Sequence, residues 1–158
     1  GNNLNYEPAI QRIMRSVIRE NDCILELGAS IGVHTILLSK LAPKGKVYAF
    51  EADKITAERL RTNLLLSRCG NVDILTDAIS ACKGEMEFYS STIKKFSSNN
   101  SLNKESLIET GIPDEHIVSD KVNVWKTFSV LSNPTQYLCA NNIKTEDVNS
   151  SISSCLFI

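Results

Sequence analysis

Cys23-Ile24-Leu25-Glu26-Leu27-Gly28-Ala29-Ser30-Ile31-Gly32-Val33-His34-Thr35 is the stretch on which the reading of this chain turns. Residues 23 to 27 are almost wholly apolar, as a central parallel strand covered on both faces requires. Gly28 and Gly32 then open a turn in which backbone can approach a ligand closely, because neither carries a Cβ. Val33 to Leu41 has helical character. Strand, glycine turn and helix in that order form the start of a nucleotide-binding βαβ unit.

Working outward, Pro8 suits a first helical turn, and Ile10, Ile13, Met14, Val17 and Ile18 follow helical spacing, which predicts an N-terminal helix packed on the core by that stripe. Downstream, Lys46 to Phe50 reads as a second strand ending in Glu51, Ala52 and Asp53, with Asp53 placed to cap the next helix. That helix is expected near Ile55 to Cys69, with Ala57, Leu60, Leu64 and Arg68 along one side and Gly70 as its terminating glycine. Val72 to Leu75 supplies a third strand. Two βα units and a strand joined by short loops predict a doubly wound, mostly parallel α/β sheet of Rossmann-like type.

The pattern changes after Asp77. Ala78 to Gly84 reads as a connection and Glu85 to Tyr89 as a half-exposed strand. Ser90 to Ser106, rich in Ser, Asn and Lys, reads as a long loop, either plain surface or a lid. Lys121 to Val130 is a further strand with Val122 and Val124 on alternate positions, and Pro134 to Asn142 a short helix. Cys155-Leu156-Phe157-Ile158 looks like the opening of a buried strand, so the sheet is expected to be incomplete at its C-terminal end. The chain thus reads as one domain over 1–158, with 1–90 the ligand-binding half and 91–158 a loop-rich remainder.

Seventeen basic and 18 acidic residues leave a formal charge of −1, which argues against a polyanion-binding field and so against a nucleic-acid partner. A small-molecule partner is expected instead. No apolar run approaches the roughly 18 residues of a membrane span, and the polar start from Gly1 to Glu7 has no signal-like segment, so a soluble cytoplasmic protein without membrane contact is expected. The cysteines are odd in number and widely spaced, which predicts neither a zinc site nor a disulfide framework.

A dinucleotide fingerprint needs Gly-x-Gly-x-x-Gly, so that pyrophosphate can reach the helix N-terminus. Here the middle glycine is missing and Glu26 stands at the strand end, where it suits an ammonium or sulfonium group and repels a pyrophosphate. Glu51 ends the next strand, where a carboxylate can accept both ribose hydroxyls. An adenosine ligand with a cationic tail and no phosphate fits both acids; S-adenosylmethionine (SAM) has that chemistry.

Glu26 to Thr35 resembles the first motif of class I SAM-dependent methyltransferases, and specifically the FkbM-type form Asp-Ile-Gly-Ala-Asn-Ile-Gly. Tyr6-Glu7-Pro8 resembles the opening segment of that family, Phe50-Glu51-Ala52 its Phe-Glu-Pro, and Asn71 to Phe88 the stretch after its third strand. The resemblance covers residues 6 to 90 and implies the fold of class I methyltransferases and O-methylation of a small-molecule or sugar-like acceptor. It implies that Gly28, Ala29 and Gly32 approach the methionine portion, that Glu51, with Ala52 beside it, holds the ribose, and that Asp77 and Ala78 border the adenine. Glu7, Ser30, His34 and Thr35 are implied neighbours of the cofactor, with His34 a wall of the turn rather than a proton acceptor. No catalytic base is assigned.

The chain departs from the family at Ser30 for Asn and at Ser129 for an expected Asp, and the family's Lys-Ile-Asp-x-Glu-Gly strand is absent. An alternative therefore stays open: a noncatalytic module that binds SAM, or nothing, and completes its sheet by pairing the C-terminal strand with another chain.

Overall fold

The computed structural model describes residues 6–93 and 100–126, with backbone alone at Lys126, Leu156 and Phe157. Helix α1 (Pro8–Val17) leads into strand β1 (Cys23–Leu27), followed by α2 (Val33–Leu41), β2 (Lys46–Phe50), α3 (Lys54–Leu66) and β3 (Val72–Leu75). These strands form a parallel sheet in the order β3-β2-β1, and β7 (Leu156–Phe157) joins it on the far side of β1. The arrangement is a Rossmann-like α/β fold.

The two-residue alternation of a strand sorts the core into two faces. Ile24 and Val47 pack with Met14 of α1, Leu38 of α2 and Ala42, which caps the end of α2. Ala49 packs with Leu60 and Leu64 of α3. On the opposite face Cys23, Leu25, Tyr48 and Phe50 form a cluster against which Leu75, Ile79 and Trp125 pack. Asp53 caps α3 as expected, its side chain accepting from Thr56 N at 2.7 Å.

Several expectations need correction. The apolar stripe of α1 is not core: only Met14 is buried, while Ile10, Ile13 and Val17 are 41%, 61% and 47% exposed. Amphipathic spacing identifies the helix, but α1 meets its neighbours along a line too narrow to cover the whole stripe. Helix α3 ends at Leu66, and the left-handed residue beyond it is Arg68 (φ 57°), not Gly70. The C-terminal strand pairs within the chain, Leu156 and Phe157 lying parallel to Ile24 and Leu25 at the edge of the sheet.

Residues after Asp77 build a second sheet, in which part of the expected connection is a strand and the expected strand at 85–89 runs from Gly84 to Ser91. Strand β4 (Ala78–Ser80) pairs in parallel with β6 (Ile117–Lys126), and β6 pairs antiparallel with β5 (Gly84–Ser91) from Gly84↔Val124 to Ser91↔Ile117. Val122 and Val124 are buried as expected and pack with Ala78, with Ala52, Phe88 and Leu102 alongside. A short helix α4 (Lys104–Glu109) and a 3-10 turn (Asp114–His116) precede β6. The helix expected at 134–142 and the departure at Ser129 lie outside the described residues. Among the described residues, no helix is long and apolar enough to cross a membrane.

Candidate functional site

The C-terminal ends of β1 and β2 meet the second sheet around a cavity of about 530 Å³, a size within the usual range for small-ligand sites. Its floor is the glycine turn. Gly28 (φ 80°) sits at the start of that turn, and a Cβ built there would meet nothing within 4 Å. Gly32 (φ 92°) is different, because its Cβ would lie 2.5 Å from Leu60 Cδ1. Its missing side chain lets α2 pack on α3, a packing role that was not expected of it.

The amides of the turn are already committed. Gly28 N and Ala29 N both donate to Phe50 O, at 3.0 and 2.8 Å, and Gly32 N donates to Ala29 O. Ser30, in left-handed conformation at φ 51°, donates its N–H to Glu51 Oε2 at 2.8 Å. An anion nest requires successive amides aimed at the ligand, and four of the five in this turn are spent on the protein itself.

Glu51 is the centre of the site. Oε2 accepts from Ser30 N and Oε1 from Asp53 N at 2.9 Å. A carboxylate offers about four acceptor positions, so two backbone bonds orient the group and leave capacity for a diol. Burial pushes its pKa up from the ordinary carboxylate value, the two backbone bonds work against that, and the Asp53 charge adds to it. Asp53 continues the network: Oδ1 caps α3 and Oδ2 accepts from Asn100 Nδ2 at 2.6 Å. Since a carboxylate only accepts, this bond fixes which way the Asn100 amide faces.

Of the residues implied by resemblance, Gly28, Ser30, Glu51, Ala52, Asp77 and Ala78 line this one cavity. The others stand behind it. Ala29 is buried against Ala49, Leu60 and Leu64, and Thr35 is wholly buried in α2. Glu26 is 5% exposed and lies outside the cavity wall. Its Oε2 has no hydrogen-bond partner among the described residues, and its pKa is pushed up to about 7, by burial first and by Glu51, with Thr35 pulling it down. Glu26, the penultimate residue of β1, is therefore a buried acid beneath the turn.

His34 Nε2 lies 3.4 Å from Glu7 Oε2, and its ring meets Tyr6 at 5.5 Å between centroids. Glu7 is left-handed at φ 45°. Neither His34 nor Glu7 lines the cavity, but Tyr6 does. Sequence reasoning also missed Phe88, Asn100, Ser101 and Leu102 in the wall. They arrive from the stretch read as strand and loop, and a lid was the one signal available there. Ser101 pairs with Tyr89 through both backbone bonds, which fixes that part of the wall. Trp125 of β6 donates its Nε1–H to Asp77 Oδ2 at 2.9 Å.

No protein-family model matches the sequence. A curated relative, Probable ribosomal RNA small subunit methyltransferase A of Methanosphaera stadtmanae, is 37% identical over 60 residues, 38% of this chain and 21% of the relative. The chain thus spans about a fifth of that protein's length. Among solved structures, a Streptococcus mutans protein in complex with SAH aligns over 45% of this chain and 39% of its own, with 25% identity and a TM-score of 0.42. The 23S rRNA methyltransferase ErmE aligns over 46% and 28%, with 27% identity and a TM-score of 0.39. An rRNA methylase from Streptococcus thermophilus aligns over 44% and 41%, with 18% identity and a TM-score of 0.42.

The curated relative overturns one expectation. Its name assigns it a ribosomal RNA substrate, so neither the exclusion of nucleic acid nor the small-molecule acceptor stands. The physical reason is that net charge sums the whole surface, whereas phosphate contacts are made locally.

Proposed function

We propose that this chain is the cofactor-binding part of a SAM-dependent methyltransferase and that its acceptor is RNA. The observation that carries the cofactor reading is the Glu51 carboxylate, oriented by Ser30 N and Asp53 N inside a cavity whose turn amides are spent on Phe50 O and Ala29 O. That chemistry accepts a ribose diol, and four of the five turn amides are already bonded within the protein and so are not offered to a pyrophosphate. The RNA acceptor is supported by the curated relative alone.

In this reading Glu51, with Ala52 beside it, holds the ribose, Gly28 and Ser30 border the methionine portion, and Asp77 and Ala78 border the adenine. When bound, SAM supplies a methyl group on a sulfonium, and the chain's own residues bind and orient it; alignment is the larger part of catalysing an in-line transfer. Residues 1–158 form one domain, with 1–90 as the cofactor half. A narrower FkbM-type membership is favoured by the Tyr6-Glu7-Pro8 segment, whose tyrosine lines the cavity.

Calorimetric titration with SAM and SAH tests the cofactor reading. The wild-type chain binds both, and Glu51→Ala weakens each by about a hundredfold, as loss of a charged pair of hydrogen bonds demands. A folded wild-type chain that binds neither ligand sinks the reading. Transfer of a labelled methyl group to ribosomal RNA transcripts tests the acceptor, with Glu51→Ala as background; a SAM-binding protein that labels no transcript removes RNA and leaves the cofactor site standing.

A further inference from the structure

Tyr6 stands at the edge of the cavity and is 51% exposed, in a wall whose other aromatics, Phe50 and Phe88, are buried and half-buried. The ring is held there. Its backbone carbonyl accepts from Gln11 Nε2 at 2.8 Å, the ring meets His34, and the next residue, Glu7, lies against His34 Nε2. Helix α1 begins two residues after Tyr6 and carries Arg12 and Arg15, three positions apart and so neighbours on one face. Arg19 follows just past the end of the helix. All three arginines are exposed, and among the described residues none of their guanidinium groups has an acid partner.

This run differs from the rest of the described surface. Lys44, Lys46, Lys54, Arg61, Lys104 and Lys121 each pair with a carboxylate, whereas residues 8 to 19 hold three arginines and no acid. The acids nearest in sequence are engaged elsewhere: Glu7 with His34, Glu20 with Lys44 at 2.9 Å, and Asp22 with the backbone N–H of Arg19 at 2.8 Å. We propose that α1 and Tyr6 form the edge along which RNA approaches the cavity, the arginines taking backbone phosphates and the Tyr6 ring stacking on the acceptor base. The inference rests on the RNA acceptor of the reading above and names a surface for it. Guanidinium groups match phosphate in a bidentate fork. A fixed aromatic ring stacks on an unpaired base while a cationic track holds the strand.

Helix α1 also exposes Ile10, Ile13 and Val17, so an anionic membrane surface is the competing occupant. RNA is favoured because the run starts at the cavity, where an acceptor atom has to meet the methyl group. The test is fluorescence anisotropy of a labelled, unstructured RNA titrated with the full chain at saturating SAH, over about 50 to 200 mM salt. Arg12→Gln, Arg15→Gln and Arg19→Gln combined should lower the slope of log affinity against log salt by about 2, three phosphates at roughly 0.7 each. SAH affinity should not change, since these arginines lie outside the cavity wall. Tyr6→Leu, which keeps apolar bulk and removes the aromatic face, should weaken RNA by about tenfold at every salt concentration and leave the slope alone. Tyr6→Phe should restore the wild-type affinity.

Several outcomes overturn the proposal. An unchanged slope in the arginine variant would mean that RNA is held elsewhere, so the proposal falls and the RNA acceptor stands. This variant is altered only at exposed side chains, and it decides the matter even if Tyr6→Leu does not fold. An RNA affinity indifferent to Tyr6→Leu, or a Tyr6→Leu chain that no longer takes up SAH, removes the stacking role. If wild type takes up SAH and binds phosphatidylglycerol vesicles but no RNA, the face is a membrane surface, and the proposal and the RNA acceptor fall together while the cofactor reading stands.

Discussion

The glycine turn and the second sheet reach the same cavity by different means. The turn presents backbone: amides of Gly28, Ala29 and Ser30 bonded to Phe50 O and Glu51, all set by residues near the ends of adjacent strands. The second sheet and the segment beside it present side chains, with Asn100 on Asp53 and Trp125 of β6 on Asp77, carried there from far along the chain. The difference bears on what each region tolerates. A backbone-built wall is insensitive to side-chain identity except where steric space is absent, whereas a side-chain wall depends on individual donors.

The largest effect should come from that steric exception. Gly32→Val puts branched bulk where a Cβ alone would lie 2.5 Å from Leu60 Cδ1, at a φ of 92°. A loss of about 3 kcal/mol or more is expected from strain and overpacking together, read as a lower midpoint in urea. An unchanged midpoint would break the idea that this glycine serves packing.

Next in size is a pH effect beneath the turn. In the folded chain Glu26 keeps its proton up to about pH 7, against an ordinary value of 4.5. Between those values the folded state holds more protons than the unfolded one, so stability falls as pH rises through this window and levels off above it. The full span amounts to roughly 3 kcal/mol. Glu26→Gln should flatten this part of the stability profile and be the more stable protein above pH 7; a profile with the wild-type slope would contradict the buried-acid assignment.

The junction of the two regions gives a smaller effect. Asp53→Ala removes the α3 cap and the acceptor for Asn100, with an expected cost of about 1–2 kcal/mol. The bond from Asp53 N to Glu51 is made by backbone and survives the substitution, so cofactor binding should weaken only as far as loss of the cap displaces that turn. Thermal unfolding and titration on one preparation would show whether the two losses travel together. The smallest effect belongs to Ser30, left-handed at φ 51°. Ser30→Asn should stabilise by a few tenths of a kcal/mol, on the order of the relief an αL-tolerant residue provides, seen as a slightly higher melting temperature.

Legibility in the sequence followed element length and locality. Strands β1 to β3 and helices α2 and α3 were readable because each carries enough period to be recognised, and Asp53 was readable as a cap because capping is local. Strand β4, three residues long, has no period to detect, and α4, with six, barely completes a turn and a half. The α1 stripe misled because spacing reports which residues share a face and is silent on whether anything covers that face.

From the sequence alone came the βαβαβ order and the place of Glu51 at the end of the second strand, since backbone sterics and side-chain period act over a few residues. Only the tertiary structure decided that Gly28 borders the cavity while Gly32 faces Leu60, that Glu26 lies buried, and that Asn100 and Trp125 hold the cavity's carboxylates. Those facts depend on how one sheet packs on the other, and packing between residues far apart in the chain has no local signature.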